Sequence, residues 1–152
     1  MEASALPVKP LELSFTVDCS PDHAFAVWTT RASAWWPSGH TVSGESVTVV
    51  FEQHPGGRVY ERTADGTEHA WGEVIAWEPP HRLAYVWHMS TGADNPTEVE
   101  ITFTAERDAT TVAIEHRGWE RFGADAEKRR VANRGGWADV IPTYQRACVE
   151  IA

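Results

Sequence analysis

Leu11, Leu13, Phe15 and Val17 alternate with Glu12, Ser14 and Thr16, the period-two signature of a strand with one buried face. Ser20-Pro21-Asp22 follows. Serine caps free backbone N–H groups, proline suits the first helical position and aspartate suits the positive end of the dipole, so a short helix is expected to about Trp28. A second short helical turn should end at Trp35-Trp36-Pro37, because proline disfavours helix in the residue before it. From Ser46 the pattern is strands and tight turns. Val47, Val49 and Phe51 share a face, His54-Pro55-Gly56-Gly57 is a turn, and Arg58 to Thr63 is a strand. Asp65-Gly66 is a hairpin signal, and Thr67 to Glu78 is a longer strand stopped by Pro79-Pro80. Three further strands each keep one apolar face: Leu83, Tyr85 and Trp87; Val99, Ile101 and Phe103; Val112, Ile114 and His116.

From about Asp125 the period changes. Trp137, Ile141, Tyr144, Cys148 and Ile151 are spaced as one face of a long helix. Gly135-Gly136 and Pro142 are expected to interrupt it, the glycines marking a hinge or the close approach of another element. Several one-faced strands and one large apolar helix define a single arrangement. It is an α+β fold in which a curved antiparallel sheet of six or seven strands wraps a C-terminal helix, with two short helices after the first strand. Residues 1–10, with two prolines and no periodicity, read as a loose lead-in, and residues 11–152 as one domain. A curved sheet gripping a helix leaves space near one helix end, the natural place for a ligand.

Composition narrows the function. The chain has 152 residues and a net charge of −9, with no basic stripe denser than Lys128-Arg129-Arg130, so neither nucleic acid nor an anionic membrane surface is expected as a partner. No apolar run approaches the length of a bilayer span, and MEASALPVKP lacks the basic and apolar regions of a signal peptide. Cys19 and Cys148 have no metal-ligand spacing and read as reduced thiols of a cytoplasmic protein. No metal or other cofactor is expected, since no hydrolase, zinc or phosphate-loop motif occurs. Eight tryptophans are the outlier, suited to cores, pocket walls and interfaces alike.

Several short segments carry a family resemblance: Trp35-Trp36-Pro37; Pro55-Gly56-Gly57-Arg58 into Val59-Tyr60-Glu61; Trp71-Gly72-Glu73-Val74; Glu78-Pro79-Pro80 through Leu83 to Trp87; Glu115-His116-Arg117-Gly118-Trp119-Glu120; and Gly135-Gly136-Trp137. In this order and spacing, from about Leu11 to Ile151, the chain resembles the START-like (SRPBCC) superfamily. The branch it resembles is named after the C-terminal domain of the activator of the ninety-kilodalton heat-shock protein's ATPase. The resemblance implies the same helix-grip fold. It says little of function, because that superfamily includes lipid carriers, hormone receptors, polyketide cyclases and co-chaperone domains.

The candidate lining of the cavity follows. Phe51, Tyr85, Trp87 and Phe103 belong to inward strand faces, and Trp137 and Ile141 to the helix stripe. The resemblance places Trp87, Trp119 and Trp137 near the cavity and Trp36 near its mouth. Arg130 and Asn133 share the helix face of Trp137 and could bring polar groups to the entrance. His116 continues the inward series of Val112 and Ile114, either as a hydrogen-bonded core residue, the favoured reading, or as a general acid or base. His88 should point to solvent and His81 sits in a turn. Glu61 enters the cavity if Val59 points inward, and then needs a partner such as His116 or Trp71; in the opposite register Tyr60 is inward and Glu61 is in water. No residue is assigned as catalytic. The expectation is a protein that encloses a small apolar or aromatic molecule between sheet and C-terminal helix, free to form oligomers. The alternatives are a co-chaperone-like module with a protein partner, and a cyclase- or hydrolase-like enzyme using Glu61 and His116.

Overall fold

A computed structural model describes residues 8–44, 47–89 and 95–152. Residues 1–7 of the lead-in, and Ser46, lie outside the described residues. The strands are β1 (Leu11–Val17), β2 (Thr48–Phe51), β3 (Arg58–Arg62), β4 (Glu68–Glu78), β5 (Arg82–Trp87), β6 (Thr97–Glu106) and β7 (Ala109–Arg117). The helices are α1 (Pro21–Trp28) and α2 (Ala126–Glu150), with 3₁₀ turns at Ala32–Ala34, Ser38–His40 and Trp119–Asp125. All seven strands form one antiparallel sheet in the order β1-β7-β6-β5-β4-β3-β2. The first strand thus closes on the last, and α2 packs with α1 and β1 over the apolar face.

Local chemistry accounts for the elements. Ser20 Oγ accepts the His23 amide at 3.2 Å and Pro21 opens α1, as the capping pattern predicts. The inward series of β5, β6 and β7 are buried throughout: Leu83, Tyr85 and Trp87; Val99, Ile101 and Phe103; Val112, Ile114 and His116. In β3, Val59 and Glu61 are the inward pair. Tyr60 lies among outer charges, with the Arg58 guanidinium 4.1 Å from its ring centroid and Arg62 Nη2 donating to its hydroxyl at 2.9 Å. Gly72 in β4 permits a close approach, since a Cβ there would meet the Val86 carbonyl oxygen at 1.7 Å. His81 is in an exposed turn, whereas His88, expected in solvent, is half-buried just beyond β5, its amide donating to Trp71 O.

Helix α2 corrects one expectation. It runs unbroken through Gly135, Gly136 and Pro142. A Cβ at Gly135 would meet nothing within 4 Å, and one at Gly136 would meet only His40 Cε1 at 4.0 Å, so neither glycine marks an approaching backbone. The buried face of α2 holds Trp137, Val140, Tyr144, Ala147 and Cys148, while Ile141 and Ile151 are half-buried at its margin.

Candidate functional site

A cleft of about 350 Å³ lies between the N-terminal half of α2, the 3₁₀ turn at Ser38–His40 and the end of β5. Trp36, Trp87 and Trp137 wall it with Met89 and Val140; Asn133, Arg129, His40 and Asp139 supply its polar groups. Of the thirteen expected lining residues, the structure brings Trp36, Trp87, Asn133 and Trp137 together here. The others lie elsewhere. Phe51 packs edge-on to Tyr85 at 5.5 Å and Phe103 on Phe25 at 5.3 Å, both in the core. Glu61, Trp71, His116 and Trp119 are fully buried behind the walls. Arg130 turns away to the Lys9 and Pro10 carbonyls.

Glu61 accepts the Trp71 indole N–H at 2.7 Å and the Val42 and Ser43 amides at 2.6 and 3.0 Å. Burial pushes its pKa up, but the bonds from Ser43, Val42 and Trp71 outweigh that and hold the carboxyl below its ordinary value. The carboxylate therefore fixes two things at once: the backbone just after His40, and the Trp71 ring, which stacks 5.1 Å from Trp36 and 5.6 Å from Trp87.

His116 performs the matching task on the other wall. The Trp137 indole N–H donates to His116 Nδ1 at 3.1 Å, so the ring proton resides on Nε2, which meets Thr97 Oγ1 at 2.7 Å. The Thr97 hydroxyl then donates to the Trp87 carbonyl at 3.0 Å. Every hydrogen in this chain has an acceptor. A second ring proton would oppose the Trp137 N–H donor to donor, and burial lowers the His116 pKa to about 3. Trp119 covers the imidazole with ring centroids 4.4 Å apart and donates to the His116 carbonyl at 2.8 Å. His116 is thus a positioning residue for the cleft indole of Trp137, and Glu61 for the Trp71 indole packed behind Trp36 and Trp87.

The polar residues at the cleft itself are different ones. His40 Nε2 lies 3.3 Å from Asp139 Oδ2, joining the 3₁₀ turn to α2, and the Trp36 indole N–H donates to the His40 carbonyl at 2.9 Å. Sequence reasoning missed His40, Met89, Arg129, Ala132, Gly136, Asp139 and Val140. Stepping back from Trp137 by helical turns leads to Asn133 and then Arg129, and forward by three residues to Val140, so part of the α2 wall was available from spacing. No periodic signal connects His40 to Asp139. Deeper in, Trp28 Nε1 and Tyr85 Oη are buried without a partner in hydrogen-bond geometry among the described residues.

A seven-stranded antiparallel sheet closed on one long C-terminal helix defines the helix-grip class of the START-like (SRPBCC) superfamily. Within that class, the chain belongs to the Activator of Hsp90 ATPase homolog 1-like protein family, whose model matches residues 18–143. Among solved structures it is similar to an anthrahydroquino-gamma-pyrone synthase, Txn09, with 34% identity over 80% of this chain and 84% of that one, at a TM-score of 0.57. CalC, a self-sacrificing resistance protein from Micromonospora echinospora, is 28% identical, covers 93% of this chain and 95% of its own, and superposes with a TM-score of 0.73. A protein from Mesorhizobium loti shares the fold at a TM-score of 0.71 with 17% identity, covering 95% of this chain and 99% of that one. No curated protein matches. No helix among the described residues is long and apolar enough to cross a membrane.

Proposed function

We propose that this protein binds a flat, largely apolar aromatic molecule in the cleft between α2 and the end of β5. The observation that carries the reading is the wall of three indoles, Trp36, Trp87 and Trp137, around a space of about 350 Å³. Pockets for small molecules are mostly apolar with a few placed polar groups, and Asn133, His40, Asp139 and Arg129 supply those here. Glu61 fixes Trp71 behind Trp36 and Trp87, and His116 fixes Trp137, so the aromatic walls are held in place without a ligand present. The related synthase is named for a fused aromatic product, which favours a polycyclic ligand. The free thiols Cys19 and Cys148 support a reducing compartment, the cytoplasm.

Titration with emodin, a planar trihydroxyanthraquinone, should quench tryptophan fluorescence saturably. Trp137→Ala should weaken binding about tenfold or more, as loss of a buried aromatic anchor does. Trp77→Phe, at a ring packed on Phe25 away from the cleft, should leave binding unchanged. Absence of saturable quenching, or equal binding by Trp137→Ala, would overturn the reading.

The alternative of a protein-interaction module finds less support. Among the described residues, the exposed large hydrophobics are Val42 in a loop, Ile75 on β4, and Val131 and Val149 eighteen residues apart on α2, single side chains of the kind common on any surface.

A further inference from the structure

We infer that His40 is a general base at the edge of this cleft, oriented by Asp139. The inference rests on the cleft being a binding site and adds an activity to it. The substrate class is a planar, apolar molecule that gives up a proton at its edge.

Three features carry it. First, His40 and Asp139 both line the cleft, and their contact at 3.3 Å links residues far apart in the chain. With Nε2–H donated to the carboxylate, Nδ1 keeps its lone pair, and it makes no hydrogen bond to the described residues. This is the base-and-orienter arrangement of acid–base sites, and imidazole is the side chain best suited to take and return a proton in neutral water. Second, the backbone that carries the imidazole is held in place: Trp36 donates to the His40 carbonyl, and Glu61 accepts the Val42 and Ser43 amides just beyond. Third, the His40 Cε1 edge, between its two ring nitrogens, faces Gly136, where a Cβ would be 4.0 Å away. The glycine puts no side chain of its own over that edge. The two side chains are 30% and 70% exposed, and a contact so open to solvent adds little to stability. Arg129 brings a cation to the same lining, its guanidinium 5.2 Å from the Phe122 ring centroid.

Nitrobenzisoxazole tests this without knowledge of the natural substrate. It is flat and apolar, and needs only a base. The ring C–H proton passes to His40 Nδ1, the C–H electron pair becomes the third bond of a nitrile, and the N–O bond breaks to leave a coloured phenolate. The imidazolium then returns its proton to water, so no oxidant or co-reactant is involved. Turnover should be saturable, and faster than with an equal concentration of free imidazole by about 100-fold or more, the scale of positioned base catalysis. His40→Gly should lose at least about tenfold of that rate, with part restored by added imidazole. Asp139→Asn should lower kcat with KM within about twofold, the mark of a positioning residue.

Saturable quenching by the probe without turnover above imidazole would overturn the base assignment and leave the cleft standing. So would a wild-type rate in His40→Gly, or a loss there that imidazole does not restore. No binding at all would overturn both.

Discussion

His116 sits in a chain of hydrogen bonds that all run one way, from the Trp137 indole through the imidazole to Thr97 and on to the Trp87 carbonyl. Its neutrality has a cost in acid. The folded pKa of about 3 lies below the ordinary value of 6.5, so between them the unfolded chain binds more protons. Stability is fully present above about pH 6.5 and is lost as pH falls towards 3, at up to about 1.4 kcal/mol per pH unit. Urea titrations at pH 7 and 5 should differ by about 2 kcal/mol in the wild type, and His116→Gln should remove most of that difference. An unchanged slope in the variant would assign the acid lability to other groups. Tyr85 presents the opposite case. Its hydroxyl and the Trp28 N–H have no partner in hydrogen-bond geometry among the described residues, and burial raises the phenol pKa against a weaker pull from Trp28. An indole N–H donated to the phenol oxygen would still leave the phenol hydrogen without an acceptor among the described residues. Tyr85→Phe should therefore leave stability within about 0.5 kcal/mol of wild type, or raise it, whereas losing a satisfied buried bond costs about 1–3 kcal/mol. A loss above 1 kcal/mol in urea would show that the hydroxyl is partnered. At this scale alternation placed His116 inside and left Glu61 between two registers, which β3 resolves by burying Val59 and Glu61. It could not show what they hold, because the indoles of Trp137 and Trp71 reach them from other elements.

Helix α2 contains two adjacent glycines with different surroundings. Gly135 faces open space, so Gly135→Ala should stabilise the protein by up to about 1 kcal/mol through helix propensity and leave emodin binding alone. Gly136 borders the cleft beside His40. Gly136→Leu should gain similarly in propensity yet abolish emodin binding by filling the slot, and paired thermal melts and fluorescence titrations would separate the two effects. Binding retained in Gly136→Leu would mean that the ligand sits elsewhere. The period of the α2 stripe was legible from Trp137 to Ile151, and the buried residues follow it with Val140 and Ala147 added. The unbroken course through Pro142 was not. Proline lacks only its own N–H and crowds the preceding turn, and packing of Trp137, Val140, Tyr144 and Cys148 along one face outweighs that local penalty.

For the whole molecule, alternation conveyed the fold, because each strand has one apolar face and a single helix remained to cover it. The cleft was less legible. It forms where three stretches distant in sequence meet, and the polar pair on it joins a loop without periodicity to a helix position that spacing alone would assign to solvent. The sheet order has a further consequence. Strand β1 is an edge strand whose one partner is β7, with Leu11 opposite His116 and Val17 opposite Thr110. During synthesis the first strand to leave the ribosome must therefore wait for nearly the whole sheet to follow before it can pair. Until then its half-apolar face has no neighbour, and long-range pairing of this kind slows folding and exposes a chain to mis-association. A nascent chain stalled before β7 should hold β2 to β6 as neighbours in sequence and space while residues 11–17 remain open to a chaperone or to a second nascent copy.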